Sequence, residues 1–228
     1  MQSSKLHGFQ AYYQNSEEYH LLKNEIFTQD NYYFETENPN PIIIDAGAHI
    51  GLATLYFKKL YPNSQIIAIE PNKNVINILK NNIYENQFNN VEVIPFALSN
   101  KTETINFHQD KSQKQWFSTS GILPQAWNRQ QKTEKTIIQA IPLTNLIQQP
   151  IDFLKLDIEG SEEKVITATA AKIKLIKEMI IEFHPHPSQS IKRLVEFLQD
   201  HKFTVELFQK GKIINHTRIK GLVYIHAY

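Results

Sequence analysis

The stretch IIIDAGAHIGLATLYF, residues 42–57, decides how the rest of the chain is read. Three β-branched isoleucines lead to Asp45, a turn carrying Gly47 and Gly51 follows, and Leu52 to Phe57 continue with helical character. A strand that runs through glycines into a helix brings backbone N–H groups to a ligand. The ligand is not a pyrophosphate by this reading. Against the dinucleotide fingerprint GxGxxG, His49 takes the place of the glycine that allows close phosphate approach, and Asp45 adds a repelling charge. A carboxylate there suits a ligand bearing positive charge, an ammonium or a sulfonium.

Working outward, SQIIAIE (64–70) is a second buried strand, 72–86 a helix with Val75, Ile76, Leu79 and Ile83 on one face, and VEVIPFA (91–97) a third strand. The alternation predicts parallel strands joined by right-handed crossovers. It resumes with strand 151–157, helix 161–176, strand 178–184 and helix 190–200. The tail offers strands 202–209 and 221–228, with a turn at Lys210–Gly211–Lys212 and no intervening helix, so these two are expected to pair antiparallel. Upstream, residues 15–29 read as a helix capped by Asn15 with Glu18 reaching back, within an N-terminal helical segment 1–38. Residues 102–108 and 135–141 read as strands flanking an insert, 108–134, whose Trp116, Phe117 and Trp127 favour a lid over a plain surface loop.

Composition narrows the class. The 228 residues fit one domain, with 24 basic against 23 acidic residues. A net charge of +1 supplies no field for nucleic acid or anionic lipid, so neither is expected as a partner. With no cysteine, disulfides, thiolate metal sites and a thiol nucleophile are excluded, and a reducing cytoplasm is the simplest compartment. No signal-peptide pattern and no membrane-length apolar run is found.

Glu70 ends the second strand about twenty residues past the turn, where an acid accepts hydrogen bonds from both ribose hydroxyls. A ribose plus a cationic portion, without phosphate, describes S-adenosylmethionine. IIIDAGAHIGLATLYF, IIAIEPN, IDFLKLDIEGSEEKVI and MIIEFH together resemble the FkbM family of S-adenosylmethionine-dependent methyltransferases, and KLDIEGSE (155–162) is the most specific element. The resemblance implies a doubly wound, Rossmann-like class I methyltransferase fold with strand order 3-2-1-4-5-7-6 and strand 7 antiparallel. It also implies O-methylation of a sugar or secondary-metabolite hydroxyl. Carried over, Asp45, Gly47, Ala48, His49 and Gly51 line the methionine moiety, Glu70, Pro71 and Asn72 hold the ribose side, and Ala97 and Leu98 border the adenine. His49 stands where asparagine is expected.

Asp157, Glu159, Glu182 and His184 fall at carboxyl ends of strands, where ligands sit in doubly wound sheets. Lys155 is expected to neutralise one of these acids, forming an ion-pair network with Glu162 as its structural alternative. Asp157, Glu182 and His184 are the candidate catalytic groups, with Asp157 also against the cofactor. Two routes remain open at this point: His184 as general base, or a divalent metal held by Asp157 and its neighbours that acidifies the acceptor hydroxyl. His186, beyond Pro185, reads as a loop residue rather than a metal partner, and the other histidines as incidental. The competing functions are a nicotinamide-dependent oxidoreductase, disfavoured by Asp45 and His49, and a catalytically silent cofactor-binding module.

Overall fold

The computed structural model of the chain describes residues 1–110, 133–214, 219 and 221–228. Most of the insert, including Trp116, Phe117 and Trp127, lies outside these residues, as does His216, so the lid expectation falls there.

The chain opens with a hairpin, β1 (Gln2–Leu6) and β2 (Phe9–Tyr13), before helix α1 (Ser16–Lys23). The expected helical segment 1–38 is corrected accordingly. Its two-residue turn, His7–Gly8, has both residues at positive φ (49° and 94°), the geometry that matches strand twist in a tight hairpin. Leu6, Ala11 and Tyr13 are buried by it. Asn15 caps α1 as expected, its side chain accepting the Glu18 N–H at 3.1 Å. A π-type turn, Asn24–Thr28, then ends the helical stretch.

The centre is an eight-stranded sheet. Its strands are β3 (Ile42–Ala46), β4 (Gln65–Ile69), β5 (Val91–Ile94), β9 (Ile151–Leu156), β10 (Ile176–Phe183), β11 (Val205–Gln209), β12 (Lys212–Ile214) and β13 (Val223–Ala227). Their order is β12-β11-β13-β10-β9-β3-β4-β5. The five strands from β5 to β10 are mutually parallel, and β13 runs antiparallel to both β10 and β11. The tail strands therefore pair antiparallel as expected, and β12 adds an eighth strand through a hairpin at Lys210–Gly211.

Both sheet faces are covered, as parallel strands require. Ile43, Phe153 and Ile180 face one core with α1, the β1–β2 hairpin and helix α2 (Leu52–Leu60). Ile44, Leu154 and Ile181 face the other, with α4 (Glu162–Ala168) and α5 (Ile191–Asp200). Helix α3 (Lys73–Glu85) starts at Asn72, whose side chain accepts the Asn74 N–H at 3.1 Å, and buries Val75, Ile76 and Leu79. The expected helix 161–176 ends at Ala168, and β10 already begins at Ile176.

The expected strand 91–97 is in fact two. Pro95 has no N–H for the ladder, and the chain leaves the main sheet there. It re-enters as β6 (Ala97–Ser99) in a small sheet with β7 (Glu103–Asp110) and β8 (Thr133–Pro142), order β6-β8-β7. This break turns Ala97 and Leu98 towards the ends of the parallel strands.

Candidate active site

The turn after β3 is shaped by how closely another strand passes it. Gly47 has φ +78°, and a Cβ there would lie 1.7 Å from the backbone carbonyl oxygen of Asp157. Its N–H and that of Ala48 donate to the Ile69 carbonyl at 3.0 and 2.9 Å, tying the turn to the end of β4. Gly51, at φ +90°, heads α2, and a Cβ there would meet Leu79 at 2.7 Å. One glycine admits the β9 exit and the other admits α3.

Glu70 is 6% exposed and is held from both sides. The His49 N–H donates to Oε2 at 2.9 Å and the Asn72 N–H to Oε1 at 2.7 Å. Burial pushes this carboxyl up against those two hydrogen bonds, to about 7. Each carboxylate oxygen has a further lone pair, so the group can accept from a diol while staying fixed. The Asn72 backbone N–H donates to Glu70 and its side chain caps α3.

Asp45 and Lys155 are register partners on adjacent strands. Asp45 is fully buried, accepts the Thr54 hydroxyl at 2.7 Å, and lies 3.4 Å from Lys155 Nζ. Lys155 Nζ also donates to the Gly47 carbonyl at 2.7 Å and lies 3.5 Å from Asp157. Burial pulls the lysine down, but Asp157, Asp45 and Glu182 outweigh it and hold it protonated. Asp45 thus stands behind the turn, paired with Lys155 and not in the lining of the two cavities described below. Its charge is spent on Lys155, which fastens the turn to β9. Replacing Lys155 by methionine leaves Asp45 and Asp157 uncompensated, and a loss of about 3–5 kcal/mol in denaturant-measured stability is expected.

At the ends of β9 and β10, which are parallel neighbours, the acids converge on His184. Its Nδ1 is 3.1 Å from Glu162 Oε1, and its Nε2 is 3.3 Å from Glu159 Oε2 and 3.8 Å from Glu182 Oε1. Burial pulls His184 down, but Glu159, Glu162 and Asp157 together hold it well above its ordinary value. A raised value favours the protonated imidazole, which lowers the availability of His184 as a base. Glu182 has the opposite bias. Burial and the charge of Asp157 raise it to about 7, against His184, Lys155 and the Tyr32 hydroxyl, which donates at 2.7 Å. His186 bonds Ser188 and stays in its loop, as read from the sequence.

Two cavities meet at this wall. The first runs from Glu70 and Pro71 past the apolar Phe96, Leu98 and Phe107 to His49 and Asp157, with Ala97 on its side. The second contains Ala48, Lys155, Glu182, Tyr32 and Glu25. Gly47, His49, Asp157 and Glu159 border both. His49 and Glu159 take φ of +52° and +60°, a backbone state that bulky residues hold only where the surroundings enforce it. An apolar slot with a buried diol acceptor at one end and a carboxylate at the other fits S-adenosylmethionine: Glu70 would hold the ribose, and Asp157 would face the sulfonium end.

The sequence model of the methyltransferase FkbM domain matches residues 45–205. This chain belongs to the FkbM methyltransferase family. Methyltransferase sdnD of Sordaria araneosa is 26% identical over 227 residues, covering 86% of each chain. Among solved structures, an FkbM methyltransferase from Methylobacillus flagellatus superposes with a TM-score of 0.59 at 16% identity, over 86% of this chain and 45% of that one. This FkbM protein therefore spans less than half of that larger chain. A SAM-dependent methyltransferase from Aquifex aeolicus gives a TM-score of 0.50 at 14% identity, over 95% and 98%. The fold is that of the Rossmann-like S-adenosylmethionine methyltransferases, and the protein is an S-adenosylmethionine-dependent methyltransferase. Among the described residues no helix is long and apolar enough to cross a membrane.

Sequence reasoning missed Tyr32, Glu25 and Tyr224 in this FkbM site. Tyr32 lies in irregular backbone, and Glu25, within the stretch read as a helix, sits in its π-type turn, where periodicity does not single out a cavity-facing acid. Tyr224 had a periodic signal, since it alternates with the buried Val223 and Ile225 and pairs in register with Glu182, but only the sheet order reveals that pairing. Glu70→Ala is expected to weaken S-adenosylhomocysteine binding by about 1–3 kcal/mol in calorimetry, the scale of lost charge-assisted hydrogen bonds.

Proposed function

We propose that this enzyme methylates a hydroxyl oxygen of a small metabolite or sugar, with Glu182 as the base that takes the hydroxyl proton. The observation that carries the reading is a buried carboxyl, pushed up towards about 7 by burial and the Asp157 charge, in the cavity that adjoins the cofactor slot across Asp157. A base poised near neutrality combines availability with driving force. S-adenosylmethionine, when bound, supplies an electrophilic methyl group. The chain's own part is to align and deprotonate the acceptor. Tyr32 fixes the Glu182 carboxylate, and the protonated His184 beside it favours the charged form. Lys155 keeps the turn and Asp157 in place. The near-balanced net charge of +1 supports a neutral or weakly charged small acceptor rather than nucleic acid or membrane, and the absence of cysteine supports a reducing cytoplasm.

A second reading rests on another observation. Ligand atoms of Asp157, Glu182 and His184 lie within 4.8 Å of one another, and two carboxylates with an imidazole suit a hard divalent cation that would acidify a bound hydroxyl. One assay separates the two. Under the Glu182 reading, methyl transfer to a panel of hydroxylated acceptors rises with pH through about 7, because Glu182 is active only when deprotonated, and it persists in chelator. A rate abolished by chelator and restored by Mg²⁺ assigns the proton's acidification to a metal instead. Transfer to amine acceptors alone would overturn both.

A further inference from the structure

Helix α1 lies outside residues 45–205, which the family model matches, and it sends one carboxylate to the glycine turn. Glu18 Oε1 is 3.7 Å from His49 Nε2, and Glu18 is 2% exposed. We propose that Glu18 is a positioning residue of the cofactor site: it holds the His49 imidazole so that the other ring nitrogen, Nδ1, receives the α-ammonium group of S-adenosylmethionine. The family resemblance puts His49 along the methionine portion and assigns nothing to Glu18. The contact is independent of which acceptor or base the enzyme uses.

His49 is fixed at its backbone. Its N–H donates to Glu70 Oε2 at 2.9 Å, its φ is +52°, and it borders both cavities beside Gly47 and Asp157. The side chain keeps 17% of its surface exposed, but both ring nitrogens are buried. Among the described residues neither nitrogen has a hydrogen-bond partner. At 3.7 Å, Glu18 is an electrostatic neighbour and not a hydrogen-bonded one. Buried nitrogens in that state cost stability, which a bound polar group restores.

The surrounding charges select the group. Burial pulls His49 below its ordinary value, with Lys155 acting in the same direction and Glu18, Asp157 and Asp45 against it. The net direction favours the neutral ring, which has one donor and one acceptor nitrogen. A carboxylate facing Nε2 favours the tautomer with its proton there, leaving a lone pair on Nδ1. A lone pair takes a donor. The α-ammonium supplies one, whereas the α-carboxylate offers only acceptor oxygens, and the negative charge of Glu18 behind the ring adds to the preference. Glu18 is itself set in place by α1, since Asn15 Oδ1 accepts its N–H at 3.1 Å. The adjacent Tyr19 stacks on Tyr13 with ring centroids 4.1 Å apart, so the carboxylate needs little further ordering.

The test is calorimetry on the intact chain with three ligands. They are S-adenosylhomocysteine, its desamino analogue, which keeps the carboxylate, and 5′-methylthioadenosine, which lacks the amino-acid portion. Glu18→Gln is expected to weaken S-adenosylhomocysteine about tenfold, the scale of one charge-assisted hydrogen bond, and to leave the other two within about twofold. Asparagine tolerates positive φ and has no tautomer to fix, so in a His49→Asn background Glu18→Gln should add nothing further. Equal weakening of all three ligands by Glu18→Gln means a structural role alone and overturns the inference. A loss shared by S-adenosylhomocysteine and its desamino analogue also overturns it, because the carboxylate is then the group being read. Unchanged affinity for all three does the same, as does a Glu18→Gln effect that persists in full beside His49→Asn.

Discussion

Gly47→Ala is expected to yield a protein without measurable methyl transfer and with its cooperative unfolding transition lowered by about 4 kcal/mol or more, the range of severe backbone clashes. A methyl group at this position would sit 1.7 Å from a backbone oxygen of Asp157, which cannot rotate away as a side chain could. Relief requires β3 and β9 to separate where Lys155 joins them to the turn. Both walls of the cofactor slot then move, because Gly47 and Asp157 border it together. Gly8→Ala is the control. Its φ is +94° but nothing lies within 4 Å, so only the left-handed backbone cost of about 1–2 kcal/mol applies. Calorimetry with S-adenosylhomocysteine and thermal melts measure both variants. A Gly47→Ala protein with normal melting and normal affinity would remove the close strand approach from the account.

Glu182→Gln is expected to lower turnover by about 10²–10⁴, the usual worth of a positioned base, with cofactor affinity retained. Glutamine keeps the shape and can still accept from Tyr32, so the change removes proton acceptance more than structure. The rise in rate through about pH 7 should vanish with it. His184→Ala distinguishes the two groups. The imidazolium favours ionised Glu182, so its removal should move the rate's pH dependence upward, with activity recovering in alkaline buffer. Were His184 the base, its loss would depress the rate at every pH. Were Glu182 only structural, Glu182→Gln would leave the profile's shape unchanged.

These two residues show where sequence reading is strong and where it stops. Gly47 was legible, because a strand emptying through glycine into a helix has few physical interpretations. Its partner was not, since the Asp157 carbonyl is more than a hundred positions away and reaches the turn only when β9 pairs with β3. Glu182 was legible as an acid at a strand end. Its value near neutrality was not, for that depends on burial, Tyr32 and the charges of Asp157 and His184.

The sequence by itself determined the local grammar. Runs of β-branched residues made strands, Asn15 set a helix start, and the glycine turn with Glu70 pointed to a phosphate-free ribose ligand. It also carried the family resemblance in KLDIEGSE. Tertiary structure alone decided which charges meet. It paired Asp45 with Lys155, and it enclosed His184 among carboxylates that raise its pKa. The physical reason is that hydrophobic period and capping act over a few residues, whereas a titrating group answers to every charge within several ångströms in a medium that screens poorly. Such neighbours come from strands far apart in sequence, and only the pairing of β3, β9, β10 and β13 places them side by side.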